Sequence, residues 1–507
     1  MPVAYHEQAI ECAPPGELRA MQEAALAGGL IRRAMASAVY REAWRDAGVD
    51  PDRVRRVEDL RHLPYITGGT LRQAWASHPA EEILCSRSVR IWFATSGTTG
   101  APKWTPYGRA ELDLLQRTAL RDFYMCAGDV SGFHCLVFGT PAPFISDGAG
   151  YFNLFGQIAR GVRLEYTLTS YSMEAARTTL QLVAVRRPQA IIAFPSVALR
   201  LAEMISAEAP AAALAAFRED RTLRNLAAVL ATRVMTISAR QVLRPRLGIF
   251  AGETLAPFRA PLVRAFGLEP FELYAMTEFP CFHLDCPEHA GMHLWVDACI
   301  PEVITQAELD REETDGAVPR AMPLLDAPEG TTGELVLTTF NEALPLIRYR
   351  TSDLVDVVAT DRCGCGRTHP RVRIPGRRDD LINMGLIRFS TVELETRLQQ
   401  LPPAASAANW QIHIVREGYK PRPILLLVPA AGADAAGLVS AAKAALNEIP
   451  ALRAGCEAGI VLEPQVRVVD HIEEAQTWSG KPRRVIDRTG QAGAQPDRQG
   501  AATGGRS

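Results

Sequence analysis

The composition of this 507-residue chain, with 47% hydrophobic and 22% charged residues, is that of a globular protein of about three domains, and it excludes extended disorder away from the ends. Its 55 basic and 57 acidic side chains nearly cancel, which gives no electrostatic reason to expect a nucleic acid or an anionic membrane as partner. Ten cysteines do not make a disulfide scaffold in so long a chain, and no run of about 18 apolar residues could span a membrane, so we expect a cytoplasmic protein that acts on small molecules.

Residues 1–90 carry apolar side chains at helical spacing and no group to which chemistry can be assigned. After them, apolar runs typical of strands alternate with helical stretches; residues 133–138 and 190–194 are examples of the strand type. This alternation predicts helix-covered, mostly parallel sheets, and therefore an α/β fold.

The most distinctive stretch, T-S-G-T-T-G-A-P-K over residues 95–103, follows a strand-like run and precedes a helix predicted over residues 108–124. Its glycines let the backbone approach phosphate oxygens, its hydroxyls donate hydrogen bonds, and its lysine adds positive charge. Because Pro102 and Trp104 depart from the G-x-x-x-x-G-K-[ST] pattern, it is not the ordinary phosphate loop. We expect an anion cradle rather than a plain glycine-rich turn, formed by Ser96, Gly97, Thr98, Thr99, Gly100 and Lys103.

Two further loops follow strand-like runs, at the position where open α/β sheets bind ligands. Gly252 and Glu253 come after the first run, and Tyr274 leads to Thr277 and Glu278 after the second. A carboxylate suits a hard cation and an aromatic face suits a base. Taken alone, however, a Tyr and a Glu four residues apart are more typical of a plain strand end.

Asp353 ends the segment L-I-R-Y-R-T-S-D. The two acceptor oxygens of a carboxylate match a vicinal diol such as that of ribose. The alternative is a surface ion pair between Asp353 and Arg350.

Cysteines and histidines in two distant segments suggest a metal site. Cys363 and Cys365 lie in a tight turn, and Cys286 and His289 are three residues apart, which together make a Cys3His set suited to tetrahedral zinc. Free buried thiols and a catalytic cysteine are the alternatives. The residues that compete as ligands are Cys281, His283 and His293.

Five segments resemble, in chain order, the signatures of the adenylate-forming superfamily of acyl-CoA ligases, adenylation domains and luciferases. Over about residues 60–488, the chain is most similar to the phenylacetate-CoA ligase and coenzyme F390 synthetase branch, because of its G-R-x-D-D segment, its C-x-C-G-R turn and the residues before Asp297. The five segments are residues 95–103, 274–278, 346–353, 376–380 and 480–484.

The resemblance implies a large N-terminal adenylation domain, residues 1–376, and a small mobile C-terminal α+β domain, residues 377–488. The two would be joined at a hinge residue, Asp379, and residues 489–507 would form a disordered tail. In this family the lysine at the position of Lys481 contacts the substrate carboxylate and the phosphate during adenylation.

The same resemblance implies roles for the nucleotide site. Tyr274 would stack on adenine, Thr277 would contact the α-phosphate, and Glu278 would hold magnesium. Asp353 would accept both ribose hydroxyls, and Arg377 would reach the ribose or the phosphate. Ala275 replaces the usual glycine, which would narrow the acyl pocket. The candidate pocket walls, each of which could equally be plain core, are Phe138, Phe155, Ala251, Tyr274 and Ala275.

The implied activity is ATP-dependent conversion of a carboxylic acid, with an aromatic acid as the first expectation, to an acyl-adenylate with release of pyrophosphate, and then transfer to CoA. The cofactors would be ATP, Mg²⁺ and CoA, with a structural Zn²⁺. Residues 386–391 depart from the N-x-x-P run of phenylacetate-CoA ligases, so the acceptor stays open between CoA, a carrier-protein thiol and an amine. A nucleotide-binding regulator without turnover is the remaining alternative. No nucleic acid or membrane partner is expected, and the sequence leaves a homodimer open.

Overall fold

The computed structural model describes residues 4–94, 103–128, 132–139, 164–170, 186–378, 381–384, 387–417, 420–430, 432–472 and 484–488. These residues form two compact units, residues 4–378 and residues 381–472 with 484–488. Both units combine sheets with helices, and the predicted α/β class is confirmed. The predicted hinge, Asp379, and the predicted tail, residues 489–507, lie outside the described residues. None of the described helices is both long and apolar enough to cross a membrane.

Short helices make up the N-terminal region, as its apolar spacing predicted. The Thr67 hydroxyl accepts a hydrogen bond from the N–H of Thr70 at 3.2 Å and so caps the helix that begins at Gly68. The helices bury Tyr40 and Trp44 between them. They are α1 (Gln8–Glu11), α2 (Pro15–Ala27), α3 (Leu30–Ala34), α4 (Ala38–Asp46), α5 (Gly68–Ser77) and α6 (Ala80–Ile83).

A short hairpin comes next, in which β1 (Ile91–Ala94) pairs antiparallel with β2 (Trp104–Tyr107). Helix α7 (Arg109–Ala127) follows β2 directly. Residues 95–102 therefore connect two strands, which corrects the expectation of a connection from a strand to a helix. Strand β2 was missed because four residues that include Pro106 carry little strand signal.

The first sheet has the predicted parallel character. Its strand order is β4-β3-β5-β6-β7-β8, and only β8, at one edge, runs antiparallel to its neighbour. The strands are β3 (Phe133–Gly139), β4 (Leu164–Ser170), β5 (Ala190–Ala193), β6 (Leu247–Ala251), β7 (Glu269–Met276) and β8 (Phe279–Leu284). The associated helices are α8 (Pro195–Glu219), α9 (Leu223–Val234), α10 (Ala239–Val242) and α11 (Arg259–Phe266).

The second sheet is antiparallel throughout, which corrects the expectation of mostly parallel sheets for this half of the large unit. Its strand order is β11-β10-β12-β13-β14-β9. A shared apolar core that includes Phe271, Trp295 and Leu337 lies between the two sheets. The elements are β9 (Met292–His293), β10 (Cys299–Thr305), α12 (Gln306–Asp315), β11 (Ala321–Pro323), β12 (Thr332–Thr339), β13 (Tyr349–Ala359) and β14 (Arg371–Arg377).

The small unit has a four-stranded sheet of order β19-β18-β17-β20 and a separate β15-β16 hairpin. The side chain of Ser390 caps its first helix by accepting the N–H of Glu393 at 3.0 Å. The elements are β15 (Leu381–Met384), β16 (Ile387–Ser390), α13 (Thr391–Gln399), β17 (Ala407–Glu417), β18 (Lys420–Pro429), α14 (Ala435–Asn447), α15 (Pro450–Glu457), β19 (Gln465–Val468) and β20 (Val485–Asp487).

Candidate functional site

Glu278 is the centre of one group of predicted site residues, just after the end of β7. Its buried carboxylate forms an ion pair with Lys103, which lies immediately before β2. The backbone of this turn is held from two sides, since the Tyr107 hydroxyl donates to the carbonyl of Thr277 at 2.9 Å and the Asn341 amide donates to the carbonyl of Glu278 at 3.2 Å. The structure thus brings the predicted phosphate-binding lysine and the predicted magnesium ligand into direct contact.

Tyr349 completes this group. Its hydroxyl accepts a hydrogen bond from Lys103 Nζ at 3.0 Å and donates one to Glu278 Oε1 at 3.4 Å. Burial, and then the neighbouring Glu278 carboxylate, raise the pKa of Tyr349 well above its ordinary value, so its hydroxyl keeps its proton and can donate.

Asp353 is the centre of a second group, on the same strand as Tyr349. The Tyr274 hydroxyl donates to Asp353 Oδ2 at 2.6 Å, and Arg377 Nη1 lies 3.3 Å from Asp353 Oδ1. Arg377 also donates to the carbonyl of Thr351 at 3.0 Å. The predicted ribose-binding carboxylate therefore lies beside the predicted adenine-stacking and ribose-binding side chains.

The alternative for Asp353, a surface ion pair with Arg350, is wrong. Asp353 is buried, and Arg350 instead binds the carboxylates of Glu312 and Glu334, each at 2.6 Å. Side chains alternate direction along β13, so residues three apart lie on opposite faces of the strand.

His283, one of the competing metal ligands in the sequence, lies behind Tyr274. The two rings are stacked, with centroids 6.0 Å apart and planes inclined by 20°. Burial lowers the pKa of His283 to about 3, so the imidazole is neutral, and its Nδ1 accepts the N–H of Trp295 at 3.3 Å. Its contacts support the Tyr274 ring rather than a metal ion.

The backbone of the loop after β6 lies close to the ring of Phe194. Gly252 has φ of 81°, and a Cβ atom there would lie 2.4 Å from the Phe194 ring, so only glycine fits. Glu253 accepts the N–H of Ser196 at 3.1 Å, near the start of α8. Both residues lie at the carboxyl end of the parallel sheet, where they were expected.

The predicted pocket residues are only partly brought together. Ala251 ends β6 and Ala275 is the last residue but one of the neighbouring β7, whereas Phe138 packs in an apolar cluster with Ile191 and Phe250. For Phe138 this favours the plain-core alternative. The predicted residues that lie outside the described part of the chain are Ser96, Gly97, Thr98, Thr99, Gly100, Phe155, Asp379 and Lys481.

Four buried side chains form a candidate metal centre: Cys286, His293, Cys363 and Cys365. Their ligand atoms all lie within 4.8 Å of one another. The shortest contacts are 3.3 Å from Cys365 Sγ to His293 Nε2 and 3.7 Å between the sulfurs of Cys286 and Cys363. His293 Nδ1 lies 3.1 Å from the carbonyl of His369, which must accept its proton and leaves the Nε2 lone pair facing the thiols. This second hydrogen bond is typical of a metal-binding histidine.

The histidine of this set is His293, which corrects the assignment to His289. His289 Nδ1 lies 2.9 Å from Asp285 and its Nε2 lies 3.3 Å from Glu269, so both ring nitrogens are engaged away from the thiols. His293 reaches the cluster because it lies on β9, which pairs with β14 directly after the cysteine turn.

The N-terminal segment is attached to the cysteine turn. The Tyr5 hydroxyl donates to the carbonyl of Cys365 at 2.9 Å, and Thr368 Oγ1 donates to the carbonyl of Ala13 at 2.6 Å. Arg367 is buried and donates to Glu11 Oε2 at 2.8 Å. Residues 4–13 therefore cover one side of the candidate metal centre.

Sequence reasoning did not assign Tyr349, Tyr107 or Asn341. Tyr349 lies inside the Y-R-T-x-D segment, so the motif did contain a signal. Tyr107 and Asn341 act through backbone contacts with residues more than 60 positions away, for which no local pattern exists.

Known proteins similar to this chain in sequence or in fold include CoA ligases. No family model matches the chain. The phenylacetate-coenzyme A ligase of Thermus thermophilus is 27% identical over 425 residues, 82% of each chain, and that of Escherichia coli is 28% identical over 426 residues, 81% of this chain and 82% of the relative. A crystal structure of 2-hydroxyisobutyryl-CoA ligase in the postadenylation state, in complex with 2-HIB-AMP, aligns with a TM-score of 0.72 at 22% identity and covers 94% of this chain and 91% of that chain. The fold is that of adenylate-forming CoA ligases, and the resemblance inferred from the motifs is confirmed.

Proposed function

We propose that this chain, an AMP-forming acid–CoA ligase related to the phenylacetate-CoA ligases, activates an aromatic carboxylic acid. The observation that carries the proposal is a pair of residue groups built from β7 and β13: Lys103 contacts Glu278 just after β7, and Asp353 on β13 contacts Tyr274 and Arg377. These residues come from segments far apart in the sequence, and the motifs assign all of them to the binding of the same nucleotide.

In the first half-reaction, the carboxylate of the acid attacks the α-phosphorus of ATP and pyrophosphate leaves. Because negative charges meet in this step, the site must offer positive charge and fixed donors rather than a strong base. Lys103 and Arg377 supply positive charge from the large unit, and we assign a third cation to Lys481. A magnesium ion, when bound, would neutralise phosphate charge, and Glu278 offers the oxygen ligands that such an ion takes.

In the second half-reaction, a thiol attacks the carbonyl of the acyl-adenylate and AMP leaves. The acyl-adenylate is a mixed anhydride that water would hydrolyse, so the site has to exclude water until the thiol arrives. We assign CoA as the thiol.

A panel of aromatic and aliphatic carboxylic acids in a pyrophosphate-release assay, with and without CoA, tests this function. We expect release with one or more aromatic acids, and the matching acyl-CoA by mass spectrometry when CoA is present. Release with aliphatic acids alone would contradict the aromatic substrate. Adenylation in which only an amine or a carrier-protein thiol accepts the acyl group would contradict the choice of CoA.

The proposed ribose contact leads to a prediction for Asp353→Asn. The variant should raise the KM for ATP about tenfold to a hundredfold, because a hydrogen bond to a charged group contributes about 1.5–3 kcal/mol. Steady-state pyrophosphate release at varied ATP measures this. Asp356→Asn is the matched control, because Asp356 lies on the same strand and is paired with Arg373. Its KM for ATP should stay within about twofold of the wild-type value. A similar KM in the two variants would contradict the role of Asp353.

We also propose that Cys286, His293, Cys363 and Cys365 hold a structural zinc ion. Three sulfurs and one imidazole nitrogen are a donor set that zinc takes in closed tetrahedral sites. All four side chains are buried, and the set leaves no position open for a substrate, so the ion would stabilise the fold and take no part in the chemistry.

A further inference from the structure

A tyrosine to which no role was assigned contacts both members of the ion pair between Lys103 and Glu278. Tyr349 is 2% exposed, and its ring packs in the apolar cluster of the N-terminal helices, with Ile66 and Leu346 among its members. A parallel bridge to Ile66 fixes its backbone. The ring is therefore held rigidly, and its hydroxyl is presented at a fixed point.

At that point the hydroxyl contacts both partners of the ion pair. It accepts a hydrogen bond from Lys103 Nζ at 3.0 Å and donates one to Glu278 Oε1 at 3.4 Å. The hydroxyl thus uses one lone pair for the ammonium group and its single proton for the carboxylate. The ammonium group also lies 5.7 Å from the centroid of the Tyr349 ring. The side chains of Lys103 and Glu278 are only 14% and 8% exposed, so little water can reach the ion pair.

Gly68 provides the space for this arrangement. A Cβ atom at Gly68 would lie 3.3 Å from Lys103 Nζ and 3.5 Å from the Tyr349 hydroxyl. The first of these distances is shorter than most contacts that Cβ atoms make in proteins. Gly68 begins α5 and is not among the glycines of positive φ, so its backbone does not require glycine. The close approach of Lys103 Nζ, together with Arg72 Nη1 at 3.5 Å, favours a residue without a side chain at this position.

We propose that Tyr349 is a positioning residue, whose hydroxyl holds the ammonium group of Lys103 in the orientation that meets the nucleotide phosphates, and that Gly68 is kept small to admit it. The inference rests on the proposed function for the role of Lys103. The N-terminal helices, to which the sequence assigned no chemistry, then form one wall of the nucleotide site.

Tyr349→Phe is the first test, because it removes the hydroxyl and keeps the buried ring. The first measurement is the rate at which acetic anhydride acetylates Lys103, read by mass spectrometry in the absence of nucleotide. We expect an increase of about fivefold, since the ammonium loses a hydrogen-bond acceptor and gains freedom. The second measurement is adenylation, for which the KM for ATP should rise about tenfold with a smaller change in kcat.

Tyr40→Phe is the matched control. The Tyr40 hydroxyl is equally buried and has two hydrogen bonds, both with backbone groups, to the carbonyl of Pro345 and from the N–H of Ile347. Its removal should lower stability and leave both measurements unchanged. An unchanged acetylation rate of Lys103 in Tyr349→Phe would overturn the inference, whatever the kinetics show.

Gly68→Ala is a second, independent variant. The added methyl group should displace the lysine and raise the KM for ATP with Tyr349 intact. Gly16→Ala is its control, since Gly16 lies in the first turn of α2 and an added Cβ there meets nothing within 4 Å. Equal KM values in the two alanine variants would overturn the role of Gly68. If the wild type activates no acid but acetylation of Lys103 still rises in Tyr349→Phe, the proposed function fails and the positioning role stands.

Discussion

Lys481→Ala is expected to slow adenylation about a hundredfold to a thousandfold and to leave thioester formation from a preformed acyl-adenylate within about twofold of the wild type. The physical reason is that only the first half-reaction brings the negatively charged carboxylate of the acid and the triphosphate of ATP together at the α-phosphorus, whereas in the second the pyrophosphate has left and a thiol attacks the carbonyl. Losing one positioned donor to such charge costs about 2.7–4 kcal/mol of transition-state stabilisation. Pyrophosphate release measures the first step, and CoA-dependent consumption of the synthetic acyl-adenylate measures the second.

The control for this variant is Lys443→Ala, an exposed lysine on α14 of the small unit. It removes the same charge from a surface helix and should change neither half-reaction. Equal losses of both half-reactions in Lys481→Ala would contradict the assigned role, because a cation needed only for adenylation cannot slow the later step.

Removal of the proposed zinc ion is expected to destabilise the large unit strongly. Protein purified without chelator should contain about one zinc per chain, and Cys363→Ser should lose the metal and lower the melting temperature by about 10 °C or more. The reason is that the four ligands come from three separate segments, which the ion would cross-link: the turn after β8, strand β9, and the turn between β13 and β14. Elemental analysis and scanning calorimetry measure the two quantities.

Cys135→Ala provides the comparison for this result. Cys135 is buried in β3 outside the cluster, so the variant loses a buried sulfur but should keep its zinc and most of its stability. Metal content well below one zinc per chain in the wild type, with an ordinary melting temperature, would contradict the proposal.

The residues proposed for the nucleotide site could be named from the sequence because their signals are local. Glu278 and Asp353 each lie in a short motif, and the motif names the residue without knowledge of the sheet that positions it. The contact between Lys103 and Glu278 was not predicted, since the two residues were assigned separately, Lys103 to the phosphates and Glu278 to magnesium.

Other features depend on pairing between distant segments, which no local pattern encodes. The choice of His293 over His289 is decided by the pairing of β9 with β14, more than 70 residues later in the chain. The antiparallel direction of the second sheet is a similar case, because the alternating apolar residues of β12 are compatible with either direction. Tyr349 lies inside the Y-R-T-x-D motif, but the motif does not show the two contacts, with Lys103 and Glu278, on which its proposed role depends.

The attachment of residues 4–13 to the cysteine turn has a practical consequence for anyone who produces this protein. Trimming the chain past Glu11 would leave the buried guanidinium of Arg367 without its carboxylate, and an uncompensated buried charge of this kind costs about 3–5 kcal/mol. A variant that keeps residues 4–13 should therefore give a higher yield of folded material than one trimmed past Glu11.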